Sequence, residues 1–488
     1  MKGDTPVYDY QSSLSDTRLS DGYNYDVLAQ PMSGVSDGES YSFVTFGPDR
    51  LNEEGMIALK SLRASLLYRL TIRKRFIDEG LRWAGLWPHP NIVRVYGVTT
   101  MGDAGMAQRP FIALEYAERG SLRDWLDRGP LTREKAIAWG QCIAAGLAYL
   151  HDPDPSYLRK APIAHGNLKP ENVLIKSDRV AVLTDFELAR AVAASAREAD
   201  LQPFMYMKTP TETQALHIRG EVTLGAPAYM APEQWIDGVS ASPAVDIYAL
   251  GVMLYELFTG QRPLFDLERP QSPREWWQTQ VTHAPCPLRA IDPSLPEALE
   301  TLALACLVRD PYSRPSARVV WERLQGIARE LGAPIWEAPE IIPHTTHNEL
   351  VFWSNWSSLC ADFERWDEAL ERNDRALAIN SHAVTTLCNR GDIFVGLRRY
   401  NEAKEVYQTA LQYASADEER GMIWGQLGTM YNEAAYDAQE NKDYRAMAAY
   451  CEQADATYAR QLELTPHDPD ASANRAANQR LWAKVKER

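Results

Sequence analysis

The pattern of apolar and polar positions changes character twice along the chain. Between residues 23 and 117, short runs rich in aromatic, aliphatic and β-branched residues recur at Tyr41–Phe46, Met56–Leu62, Ile92–Val98 and Phe111–Tyr116. Each has strand length and suits a half-buried pleated surface. Around Ile72–Leu86 the apolar residues fall instead at three- and four-residue intervals, which predicts one helix among the strands. From 118 to 331 the periodicity is mainly helical, interrupted by long loops. Residues 1–22 are rich in Ser, Asp and Tyr, have no period, and read as a flexible tail. The segment Gly332–His347 carries three prolines and reads as a linker.

Beyond the linker, residues 348–488 read as helix that repeats itself. Phe363–Ser381 (FERWDEALERNDRALAINS) aligns with Leu397–Ser415 (LRRYNEAKEVYQTALQYAS). Ala369 and Ala403 are 34 residues apart, as are Ala376 and Ala410. A third, longer unit holds Trp424, Leu427, Gly428 and Tyr431, ends at Pro466, and carries an insertion around Ala435–Asp443. The W-x-x-L-G-x-x-Y run and the spacing resemble the tetratricopeptide repeat. That resemblance implies an all-α stack whose concave groove holds a peptide or helix of a protein partner.

Composition narrows the function classes. The chain has 488 residues, 45% of them hydrophobic and 24% charged, which excludes wholesale disorder and at roughly 150 residues per domain predicts two to four domains. Its net charge of −15 is spread over both halves, a poor basis for neutralising nucleic-acid phosphates, so no nucleic-acid partner is expected. The six cysteines form no C-x-x-C pair and suit a reducing compartment. The N-terminus lacks the apolar core of a secretion signal. The longest apolar stretch, near Ile247–Phe258, is about 12 residues, short of the about 20 that span a bilayer. A soluble cytoplasmic protein is the expectation.

Three motifs in fixed order carry the chemistry: Ala164–Ile175 (AHGNLKPENVLI), Thr184–Arg190 (TDFELAR) and Gly225–Gln234 (GAPAYMAPEQ). Together they resemble the protein kinase family. The resemblance implies an α+β two-lobed fold over 23–331, with a small lobe at 23–117 and a helical lobe at 118–331. It gives Lys60 the lysine that grips the nucleotide phosphates and Glu79 its partner. It makes Leu114 the gatekeeper, with backbone groups of Glu115 and Ala117 holding the adenine. Asn172 and Asp185 become ligands for Mg²⁺, so ATP and Mg²⁺ are the implied cofactors. His165, Asn167 and Lys169 form the catalytic loop. Glu233 with Arg314, and Asp246, correspond to structural residues of the family.

Four departures weaken the catalytic pattern. His165-Gly166-Asn167 stands where the family has His-Arg-Asp, and a carboxamide has no carboxylate to take the substrate proton. Gly166 removes the arginine that pairs with an activation-loop phosphate. Asp185-Phe186-Glu187 replaces Asp-Phe-Gly, which puts a carboxylate near the phosphates. Ala226 replaces a threonine. The glycine-rich loop near Gly38–Phe43 keeps one glycine, Gly38, and its backbone N–H cradle is correspondingly weak. Thr209, Thr211, Thr213 and Thr223 are candidate phosphorylation sites. The residues thus support two readings: a nucleotide-binding pseudokinase regulator or scaffold, and an atypical Ser/Thr kinase whose repeats recruit substrate.

Overall fold

The computed structural model describes residues 40–46, 56–62, 69–101, 109–152, 162–185, 227–235, 242–260, 279–280, 282–339 and 345–486. The expected tail, Gly38, Phe186, Glu187, the four threonines and Ala226 lie outside these residues. The chain divides into two compact units, Met1–Ile341 and Ile342–Arg488.

The first unit begins with an antiparallel sheet in the order β1-β2-β4-β3. The strands are β1 (Ser40–Phe46), β2 (Met56–Leu62), β3 (Val95–Met101) and β4 (Arg109–Glu115). Helix α1 (Leu70–Ala84) buries Ile72, Phe76, Gly80, Leu81 and Trp83. Gly80 brings the helix close to the sheet: a Cβ there would lie 2.9 Å from Val98 and 3.0 Å from Ile112. The third strand starts later than the Ile92–Val98 run suggests. The backbones of Asn91 and Val93 are bonded to Leu183, and Ile92 bridges to it, so that stretch joins another ribbon instead of the sheet.

That ribbon is β5 (Val173–Ile175) with β6 (Ala181–Leu183), lying among the helices that follow. Helix α2 (Leu122–Asp127) starts in a capping box made by Ser121 and Asp124, which satisfies two orphan N–H groups. Helix α3 (Arg133–His151) is capped by Thr132 and buried along most of its length. Helix α4 (Pro243–Thr259) contains the long apolar stretch; it is buried from Val245 to Leu257 and ends on Gly260 at φ 67°. Gly251 admits Cys306 to close range, since a Cβ there would lie 2.7 Å from that residue's side chain. The remaining helices are α5 (Leu288–Ile291), α6 (Glu297–Cys306) and α7 (Ala317–Glu330). Among the described residues no helix is long and apolar enough to cross a membrane.

After α7 the chain lies on the helical lobe. The Trp336 N–H donates to Gln141 Oε1 at 2.9 Å, and the indole Nε1 donates to Asn91 Oδ1 at 2.9 Å.

The second unit is all helical: α8 (Thr346–Asp362), α9 (Trp366–Ile379), α10 (Val384–Gly396), α11 (Tyr400–Tyr413), α12 (Asp417–Glu440), α13 (Tyr444–Leu464) and α14 (Pro469–Lys486). Its repetition is visible in the backbone. Glu364, Arg398 and Lys442 all take left-handed φ, at 57°, 58° and 61°. In each case the next N–H reaches the carbonyl five residues back: Arg365 to Cys360, Arg399 to Phe394, Asp443 to Ala438. The four alanines spaced by sequence, Ala369, Ala376, Ala403 and Ala410, are all fully buried. They occupy equivalent places in α9 and α11, where only a small side chain lets neighbouring helices approach.

Candidate functional site

Strand β2 sets Lys60. In the sheet register Lys60 lies opposite Ile112, so the two side chains share a face, and Ile112 touches α1 at Gly80. Glu79 is the residue before Gly80, in the turn of α1 that meets this face. The Lys60 side chain is buried, and its ammonium lies 2.7 Å from Asp185 Oδ1. Two charges at that distance, both out of water, offset each other's loss of hydration; removing either alone leaves an uncompensated charge.

Asp185 follows β6 with φ 64°, a strained value for a residue with a Cβ. The preceding residue is fixed at several points. The Thr184 N–H donates to the Asn172 carbonyl at 3.0 Å, and its hydroxyl donates to Asp185 Oδ1 at 3.3 Å. The Thr184 carbonyl accepts from His165 Nε2 at 2.9 Å. The other ring nitrogen of His165 accepts from the Asn167 N–H at 3.3 Å. Burial holds the His165 pKa below its usual value, so the ring is a neutral strut with both nitrogens engaged.

The loop at residues 165–167 is anchored from α4. The buried Asp246 carboxylate accepts from the N–H of His165 at 2.7 Å, the N–H of Gly166 at 2.8 Å and His151 Nε2 at 2.8 Å. Gly166 sits at φ 73°. Pro170 holds Lys169 extended, and the short turn that follows buries Asn172. Asn172 Nδ2 donates to the Asn167 carbonyl at 2.7 Å, which turns Oδ1 away from that bond. Asn167 itself is buried beside these groups. Arg314 holds Glu233 by two bonds, at 2.5 and 2.8 Å, the pair that the family resemblance implies.

Leu114 lies buried on β4 opposite Ala58. The Glu115 N–H is spent on the Arg94 carbonyl, and its carboxylate pairs with Lys176 at 2.6 Å. Ala117 is buried, yet among the described residues no hydrogen bond engages its N–H. A backbone donor that is buried without an acceptor costs about 1–3 kcal/mol. It suits an acceptor-bearing ring edge such as adenine.

The donor set also fits a hard cation. Among the described residues no group of three or more His, Cys, Asp or Glu forms a metal cage. Asn172 Oδ1 and the Asp185 carboxylate are the oxygens that would hold a magnesium ion, the hard donors this cation takes.

Sequence reasoning missed His151, Asn91 and Trp336. His151 ends α3 and was visible only as a polar residue closing an apolar helix. Asn91 binds Ala181, Leu183 and Trp336, partners too distant in sequence for any local pattern to announce.

A β-sheet lobe and a helical lobe, with an anchored loop and a Lys–Asp pair, define a kinase-type fold. The chain belongs to the protein kinase domain family, which matches residues 49–324, over half of its length. Serine/threonine-protein kinase A of Synechocystis sp. is 30% identical over 313 residues, 62% of this chain and 54% of that protein. Serine/threonine-protein kinase PknL of Mycobacterium tuberculosis is 32% identical over 234 residues, 48% of this chain and 50% of that protein. Serine/threonine-protein kinase PkaB of Streptomyces coelicolor is 31% identical over 288 residues, 57% of this chain and 58% of that protein. The chain spans about half the length of the curated relatives it matches.

Proposed function

We propose that this chain is a nucleotide-binding pseudokinase that acts as a regulator or scaffold, and that its tetratricopeptide-like repeats hold a protein partner. The observation that carries the reading is Asn167. It stands at the catalytic-base position of a loop whose other supports, His165, Asp246 and Asn172, are all engaged. Bound ATP with Mg²⁺ would bring the transferable phosphate. Lys60, with Glu79 as its partner, would hold the phosphate charge, Asn172 and Asp185 its metal, and backbone groups of Glu115 and Ala117 its base. Asn167 orients a hydroxyl but takes no proton from it. His165 does not substitute, being buried and bonded at both nitrogens.

A second reading, an atypical Ser/Thr kinase, is favoured by the same intact supports, because positioning and metal supply much of phosphoryl-transfer catalysis. Thermal shift of the full chain tests binding. ATP with Mg²⁺ is expected to raise Tm, and the Lys60→Met/Asp185→Ala double variant, which removes both charges of the buried pair, to abolish the shift. An unshifted wild-type Tm would leave the fold as a purely structural platform.

A further inference from the structure

The helical unit carries a cavity of about 500 Å³ whose wall runs from α10 to α14. Four carboxylates line it, Asp392, Glu418, Asp468 and Asp470, together with the amides of Gln426, Gln461 and Asn474; no Lys, Arg or His does.

Three of the carboxylates have ordinary structural roles. Asp468 accepts from the N–H groups of Asp470 and Ala471 and so caps α14. Glu418 and Asp470 sit in first turns, where the helix dipole favours negative charge. Asp392 has no such role. It lies in mid-helix in α10 and accepts from the Tyr407 hydroxyl at 2.5 Å and Gln426 Nε2 at 3.0 Å. Among the described residues no cation pairs with it. Loss of hydration, and after it the charge of Asp392, pushes the Asp362 carboxyl up to about 6.

The two glutamine amides point the same way by an independent route. Gln426 spends its Nε2 on Asp392, and Gln461 spends its Nε2 on Asp468. Both Oε1 atoms are then buried with no hydrogen-bond donor, and Gln461 is only 7% exposed. Each orphaned acceptor costs about 1–3 kcal/mol until a donor arrives. The cavity thus offers four carboxylates and two orphaned carbonyl oxygens, and no cation lines it to match them. A guanidinium, with five N–H donors and a fixed positive charge, complements that set better than a neutral or acidic group.

Resting on the reading that the repeats hold a partner, we propose that the partner presents a basic segment and places an arginine side chain in this cavity. The test uses the full chain and a fluorescein-labelled peptide of alternating Arg and Gly, read by anisotropy. The Arg peptide is expected to bind, and the same peptide with citrulline in place of Arg to bind at least roughly tenfold more weakly, about 1.4 kcal/mol. Asp392→Asn and Gln461→Leu are each expected to weaken it by a similar factor without loss of helical circular dichroism. Glu297→Gln, the same charge change in the first unit, is expected to leave it unaltered. Equal binding of Arg and citrulline peptides, or equal loss with Glu297→Gln, would overturn the proposal as unspecific attraction to an acidic protein. Preference for an acidic or apolar peptide, lost on a Gln461 substitution, would overturn the arginine and keep the partner-holding repeats. Binding of none of the four peptides would remove both.

Discussion

Gly166 shows how one position changes meaning between sequence and structure. In the sequence it is a missing arginine, and so a lost means of switching. In the structure it sits at φ 73° with its N–H fixed by Asp246, a backbone state that glycine adopts freely and other residues resist. Gly166→Ala is therefore expected to lower stability by about 1–2 kcal/mol, the cost of a left-handed residue with a Cβ, measurable by urea denaturation. Asp246→Asn is expected to cost about 3 kcal/mol. Both carboxylate oxygens accept from N–H groups, so an amide must set donor against donor. Asn167→Asp carries the chemical prediction: with the supports of the loop unaltered, phosphate incorporation is expected to rise above that of the wild type. The positions of Lys60, Asn172, Asp185 and Asp246 were legible because each belongs to a motif of fixed order. The strain at Asp185 and the neutral strut of His165 were not, since they exist only once β6 and the loop meet.

At the scale of elements, strand and helix periods placed the sheet and α1 to within a few residues. The third strand was the exception, because residues 91–93 bond to Leu183, a partner about ninety positions away in sequence. The segment from Ala333 to Trp336 was legible as proline-bearing, and its docking was not. Trp336→Phe keeps the ring and removes the indole donor, leaving Asn91 Oδ1 buried without it. A loss of about 1–2 kcal/mol in the first unit is expected by denaturation. In the second unit the alanines that recur at a spacing of 34 are fully buried, and the W-x-x-L-G-x-x-Y run has a packing reason. A Cβ at Gly428 would lie 2.5 Å from the Tyr458 ring. Gly428→Ala is expected to cost about 1–3 kcal/mol by overpacking, seen as a lower Tm.

Across the whole molecule, composition excluded classes of function and named none. The charge of −15 speaks against phosphate backbones as partners, and the structure concentrates part of it in one cavity of the helical unit. Family membership was legible from order and spacing of motifs, while the proposed loss of catalysis rests on single residues within them. The central claim is that a cleft equipped to hold nucleotide lacks the carboxylate that would take a proton. The most direct test incubates the full chain with radiolabelled ATP and Mg²⁺ beside the Lys60→Met/Asp185→Ala variant. The account predicts no label on the protein or on a generic substrate above that variant, together with an ATP-dependent rise in Tm. Label transferred by the wild type and absent from the variant would contradict it.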